Sequence, residues 1–407
     1  MKLRTARIPR GIRLIALGMF LWGFGYGLHA YVLPVHLRSI GCSPAQVGFV
    51  FSVSMAAMAA SCIPGGILAD RCDRRKVIFL SWLAGAPSVI LYYVAKDYRM
   101  AALGIAIYSG SMMGYPALNA YSQSCARDGE SGMTFGVINA AFAAGMIASP
   151  AVGGYLSSVW GVRGVFLLSC AFFLIASGVV SLLPPEPERG ALSKASGRGD
   201  FFGSLRNRRF VAFLVCYSVC AFAYYMVQPL VPQYLTDARR NSVGIVGALG
   251  SIMSLGQTLI TVGVGRAADR RGALVAVGGN LLVFVVALLC FVAFSASAAT
   301  VASLFLLGGF MAGQGVVLAG VGEVLGDRAD GKAFALFNLA MSGVSVAGPY
   351  LGGLMYSVSQ GGPFYAAAGI TAVGGLLLLQ QGLSARGARG GGCPREELGK
   401  NLESAKI

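Results

Sequence analysis

The segment Gly66-Ile67-Leu68-Ala69-Asp70-Arg71 returns 199 residues later as Gly265-Arg266-Ala267-Ala268-Asp269-Arg270. The same offset carries Phe135 to Phe334, Asn139 to Asn338, Pro150 to Pro349 and Gly153-Gly154 to Gly352-Gly353. Near the start of each copy it becomes 198, taking Tyr26 to Tyr224, Pro34 to Pro232 and Leu37 to Leu235. Chance does not hold one spacing over so many positions. The chain is a tandem repeat of two units, each about half its length.

The sequence on either side of these segments is too apolar for water. Of 407 residues, 56% are hydrophobic and 12% charged, with a mean hydropathy of +0.69. A soluble protein carries about 25% charge, so the solvent of this one is the lipid bilayer. Disordered, coiled-coil and disulfide-scaffold classes are excluded by the same composition. Crossing a bilayer takes about 20 apolar residues. Such runs fall at 12–37, 45–69, 77–95, 100–124, 132–156, 163–183, 209–234, 243–265, 273–295, 298–324, 331–357 and 363–384. The expectation is an all-α membrane protein of twelve transmembrane helices in two pseudo-symmetric six-helix bundles, 1–183 and 209–384. Between them, 184–208 opens with Pro184, Pro185 and Pro187 and reads as a linker; the Gly-rich polar tail 385–407 reads as disordered. Six-span units repeating in one orientation are related about an axis along the membrane normal.

With the N-terminus inside, 26 of the 32 Lys and Arg fall in cytoplasmic segments and 6 in outer loops. The excess marks the cytoplasmic side, so both termini are expected there, in the inner (plasma) membrane. The formal charge of +16 is thereby a topology signal, and no nucleic-acid partner is expected. Met1–Arg13 runs into an apolar stretch ending at Leu33-Pro34 rather than at a small-residue cleavage site, so it reads as a retained helix. The nine cysteines are scattered and mostly lie in apolar runs, where a thiol packs as a small hydrophobe. Cys216 and Cys220 share a helix face without a His or carboxylate neighbour, so no metal is expected.

The loop Gly66-Ile67-Leu68-Ala69-Asp70-Arg71-Cys72-Asp73-Arg74-Arg75-Lys76 resembles motif A of the major facilitator superfamily, Gly-x-Leu-x-Asp-Arg-x-Gly-Arg-Arg/Lys, with Asp73 at the usual second Gly. In span five, Gly145-Met146-Ile147-Ala148-Ser149-Pro150-Ala151-Val152-Gly153-Gly154 resembles motif C of its proton-coupled antiporters, with Ser149 replacing a Gly. Pro229-Leu230-Val231-Pro232, with Tyr31-Val32-Leu33-Pro34 in the first half, is similar to a Pro-rich feature of its drug exporters. The resemblance covers all twelve spans and is greatest to the twelve-span drug/proton antiporter group. It implies that Gly66, Asp70, Arg71, Arg74, Arg75, Asp269 and Arg270 form a cytoplasmic gate, with Asp70 facing the N-terminus of span eleven. The basic residues of that loop can pair with Asp128, Glu130, Glu323 or Asp327, or serve only as a positive-inside anchor. Small residues such as Gly66, Gly145, Gly153 and Gly154 let helix backbones approach closely, and Pro150 bends span five. At this spacing they also serve simply to pack helices.

Polar residues at bilayer depth usually face a cavity. Trp22, Tyr26, His29, Leu33 and His36 form one stripe on span one; Tyr108, Met112, Tyr115 and Asn119 form another on span four. Tyr217, Tyr224 and Gln228 form a third on span seven. The resemblance assigns all three helices to the cavity lining. A substrate-binding surface of Trp22, Tyr26, His29, Met112, Tyr115, Asn119, Tyr217, Tyr224 and Gln228 suits an aromatic or amphiphilic ligand. Trp22 and Tyr31 serve equally well as interface-belt rings. No Asp or Glu occupies the centre of any span, which leaves His29 as the ionisable group at depth, either a proton carrier or a neutral hydrogen-bonding residue. The expected activity is secondary transport by a monomer working by alternating access. It would export a small amphiphilic or drug-like molecule, with protons as a candidate coupling ion, and would need no cofactor and catalyse no reaction. Uptake or facilitated passage of a neutral metabolite is the alternative within transport, and a transporter-like receptor or sensor the alternative outside it.

Overall fold

The computed structural model describes residues 8–126, 131–186, 203–326 and 331–390. Among them every regular element is a helix. Span one is Arg10–Ser39, span two Pro44–Arg71, span three Arg74–Val94, span five Gly132–Trp160 and span six Val162–Ser181. Span seven is Arg208–Asp237, span eight Val243–Arg271, span nine Ala273–Ala293 and span ten Ser297–Leu325. Span twelve is Gly362–Ser384, within a helix that runs to Gly390. These ten are long and apolar enough to cross a membrane. Two further rods complete the twelve. Span four runs through Tyr98–Gly110, a 3-10 turn at Ser111–Gly114, and Tyr115–Cys125. Span eleven is Gly331–Val358, with Asn338, Ser342 and Ser345 along it.

Proline positions account for most breaks in the rods. A proline lacks the N–H for its own helical bond, and its ring presses on the carbonyl four residues back. Pro34 acts on Ala30 and span one breaks at Tyr31; Pro232 acts on Gln228 and span seven breaks there; Pro116 acts on Met112, inside the 3-10 turn of span four. The repeat also preserves helix starts. Ser43 caps span two in a reciprocal box with Gln46, and its equivalent Ser242 caps span eight. Spans five and six are joined by Gly161 alone, and spans eight and nine by Gly272 alone, with φ of 78° and 80°. That left-handed region costs a glycine little.

Two hydrophobic cores result. One draws on Ile12 to Leu183 and holds Trp22, Trp82, Tyr92, Phe166 and Phe173; the other draws on Phe210 to Leu378, with Val35 of span one added. At the boundaries, the membrane-crossing part of span twelve ends at Ser384 and its helix continues to Gly390. The linker ends in a 3-10 turn at Gly203–Arg206. Residues 187–202 of the expected linker and 391–407 of the tail lie outside the described residues, as do Asp128, Glu130 and Asp327.

Candidate functional site

Span one places Tyr26, His29, Ala30 and Leu33 on one face, and this face forms a wall of a pocket with about 450 Å³ of empty volume, including the part open to solvent. Span two supplies Phe51, Ser54 and Met55 at helical spacing, span three Tyr92, and span four Ile105 and Tyr108. Gln228 closes the pocket from the other half, at the point where span seven breaks before Pro229. The lining is aromatic with a few polar atoms and carries no charged side chain.

Tyr26 lies parallel to Tyr108, ring centroids 5.7 Å apart, and His29 stands edge-on to Tyr26 at 5.6 Å. Nδ1 of His29 lies 3.1 Å from the Gly25 carbonyl oxygen and 3.2 Å from Ser169 Oγ. A carbonyl only accepts, so Nδ1 carries the proton here, and Nε2 is the nitrogen left for the cavity. Ser169 donates in turn to the Val165 carbonyl and so holds the ring from behind. Ser54 and Ser109 share a hydrogen bond of 2.7 Å that ties span two to span four beside the pocket.

Of the residues in the sequence stripes, this pocket brings together Tyr26, His29, Leu33, Tyr108 and Gln228, three of them from the expected substrate-binding surface: Tyr26, His29 and Gln228. Trp22 lies behind it, 3% exposed, packed among Trp82, Phe173 and Tyr108. Met112 sits in the 3-10 turn of span four, half-buried, while Tyr115 and Asn119 are exposed. Tyr217 and Tyr224 are buried in the second core. Tyr217 stacks with Phe310 and Phe337, and Tyr224 lies flat on Phe310 at 4.1 Å. Sequence stripes missed Phe51, Ser54, Met55 and Tyr92. Ser54 on an otherwise apolar face was the available signal.

The motif residues divide by neighbour. Gly145 and Gly153 pack against span one, at Phe20–Phe24 and at Leu28; Gly154 packs on Gly247 of span eight, whose backbone also meets the Pro150 carbonyl. Ser149 is fully buried against Gly27, so the serine that departs from the motif is accommodated by a glycine on span one. In the loop after span two, Arg74 is buried and pairs with Glu186, donating also to the Ala69 carbonyl. Arg75 pairs with Asp73 at 2.8 Å. Glu323 accepts instead from the backbone N–H groups of Ala273 and Leu274, at the start of span nine. These contacts replace the expected pairing of the loop with Glu323, because each carboxylate has a nearer donor. Asp70, Arg71, Asp269 and Arg270 are exposed, and open space faces Gly66. Among the described residues the Asp70 carboxylate makes no hydrogen bond or ion pair. Contact between the halves lies toward the opposite end, where Arg38 pairs with Asp237 at 3.2 Å and Tyr31 packs on Gly250.

The sequence profile described as Major Facilitator Superfamily matches residues 15–222 and 213–390. The chain belongs to the Major Facilitator Superfamily. This member is 25% identical over 271 residues to the multi-drug resistance efflux pump PmrA of Streptococcus pneumoniae serotype 4, covering 64% of this chain and 67% of that one. It is 25% identical over 288 residues to the multidrug resistance protein MdtG of Proteus mirabilis, covering 67% and 70%. Its fold matches the crystal structure of the nucleoside transporter NupG with a TM-score of 0.72 at 17% identity, over 93% of this chain and 99% of that one. A bacterial homologue of the human lysosomal transporter Spinster, inward-facing and unoccupied, matches at 0.69 and 17%, over 92% and 93%. This superfamily member is a multi-pass membrane transporter, not an enzyme.

Proposed function

We propose that this transporter exports small amphiphilic, drug-like molecules in exchange for protons, and that the pocket between Tyr26, Tyr108, His29 and Gln228 is its binding site. The observation that carries the reading is the pocket's composition: stacked rings, one histidine nitrogen and one carboxamide from the opposite half. Rings bind flat apolar bodies with little demand on their outline, and the few polar atoms orient them. Relatives named as multidrug efflux proteins support the direction and the substrate class. The Lys and Arg count supports cytoplasmic termini, which would place the Asp70 and Asp269 loops inside and the Arg38–Asp237 pair outside. With contact at the Arg38 end and no side-chain partner for Asp70 among the described residues, the conformation fits a cavity open to the cytoplasm. The units 1–183 and 209–384 are then the two halves that rock about the site.

A second reading, passage of a neutral metabolite, is favoured by the absence of any charged side chain from the pocket lining. A thermal-shift screen of the purified protein against amphiphilic dyes and against nucleosides separates the two. Export of amphiphiles requires stabilisation by dyes that Tyr26→Ala weakens. Stabilisation by neutral nucleosides alone would support the second reading.

A further inference from the structure

Two seams join the halves, and the repeat relates them position by position. A side chain added at Gly48 of span two would meet the carbonyl oxygen of Pro349 in span eleven; one added at Gly247 of span eight would meet that of Pro150 in span five. One turn along, Ser52 Oγ accepts a hydrogen bond from the Tyr350 N–H at 3.1 Å, and Ser251 Oγ accepts one from the Ala151 N–H at 2.9 Å. One turn beyond the prolines, Gly353 lies on Pro44 and Ala45, and Gly154 on Gly247 and Val243. Gly48 and Gly247, Ser52 and Ser251, Pro150 and Pro349, and Ala151 and Tyr350 all stand 199 residues apart. Both donors directly follow a helix proline, and both acceptors are serines one turn from the glycine that lets the backbones touch.

We propose that Ser52 and Ser251 are paired gating residues that position the two halves for transport: their bonds to the N–H groups after Pro349 and Pro150 hold the Arg38 end shut in this state, and both break when that end opens. The proposal rests on the alternating-access reading and is independent of which molecule is carried. A proline has no N–H and bends the hydrogen-bond ladder around it, so the next N–H is available to a partner beside the helix. When the seam parts, each serine hydroxyl can turn to the carbonyl four residues back on its own helix, Gly48 or Gly247. Each freed N–H can return to its own ladder or meet water in the opened cavity. Neither state leaves a polar group bare in lipid. Both bonds are neutral, so each is modest enough to be made and broken once per cycle. Their equivalence makes the two sides of the gate give way together.

Spin labels at Lys96→Cys and Ser295→Cys, on exposed loops of opposite halves at the Arg38 end, report the opening in a background with the exposed Cys62 and Cys72 replaced by Ser. In membranes without substrate, Ser52→Ala combined with Ser251→Ala should shift the distance distribution toward longer values. Each single variant should give part of that shift, and the two singles carry the test if the double variant fails to insert. Ser52→Thr with Ser251→Thr, which keeps both hydroxyls, should retain the short distance. Ser157→Ala, whose hydroxyl bonds only its own helix at Gly153, should match wild type. Wild-type distances in the alanine variants, or an equal shift in the threonine variant, would overturn the proposal. Because no substrate enters this measurement, a shifted distance beside absent dye transport would reject the proposed substrate class and leave the gate standing.

Discussion

At the residue scale, His29 and Tyr26 carry the functional reading, and they fail in different ways. His29 lines the pocket while its Nδ1 is held by Gly25 and Ser169. Glutamine at this position keeps hydrogen bonding but does not titrate near neutrality. His29→Gln should therefore abolish accumulation driven by a pH gradient in vesicles, while downhill exchange of substrate survives. Tyr26→Ala removes one face of the Tyr26–Tyr108 stack. It should weaken ligand binding by about 0.5–1.5 kcal/mol beyond lost area, several-fold by titration calorimetry. Tyr224, its repeat equivalent, rests on Phe310 inside the second core. Tyr224→Ala should lower thermal stability and leave affinity nearly unchanged. The span-one face was legible in the sequence because Tyr26, His29 and Leu33 recur at helical spacing among small residues. Tyr92 and Phe51 were not, since apolar residues occupy most positions around their spans and the scattered serines there mark no single face.

At the element scale, the loop after span two combines a helix start with the expected cytoplasmic gate. Asp73 accepts from the Arg75 backbone N–H at 3.0 Å and caps span three. The Arg75 side chain, hydrogen-bonded to the carboxylate, holds it below the ordinary carboxylate value. A depressed acid contributes stability above its unfolded pKa and loses it as pH falls through the folded one. Asp73→Ala should therefore lower the melting midpoint at pH 7, and the gap to wild type should close below about pH 4. The same Asp73 engages Arg75, so the departure from motif A changes what that arginine can reach. Asp70 remains exposed in the present state, as a latch would be once its end has opened. Asp70→Ala should cut transport strongly with insertion intact, and Asp269→Ala should cost less because its loop lacks the run Arg74-Arg75-Lys76; dye flux normalised to membrane-inserted protein measures both. The loops were readable because charge stands out in an apolar chain. The breaks at Tyr31 and Gln228 were readable only in part, because a proline marks a bend without showing which residues the bend exposes.

At the scale of the whole molecule, the repeat is the feature from which the rest follows. Twelve rods, two cores and two seams at one offset all descend from a sequence written twice. That much is legible in the sequence, since hydropathy counts helices and an offset counts halves. Which end of the bundle closes was hidden, because both states use the same residues and differ only in which contacts are made. In the proposed topology the Asp70 end is cytoplasmic, so reporter tags after Ile407 and at Ser196 should both read cytoplasmic in intact cells. An external signal from either would reverse the map. Coupled export itself is tested most directly by flux of a fluorescent amphiphilic dye in proteoliposomes, with and without an imposed pH gradient. Coupled export requires protein-dependent dye movement that an opposing proton gradient drives against the dye's own gradient, and that His29→Gln reduces to downhill exchange. Flux indifferent to the gradient in the wild type, or no greater than in protein-free vesicles, would contradict it.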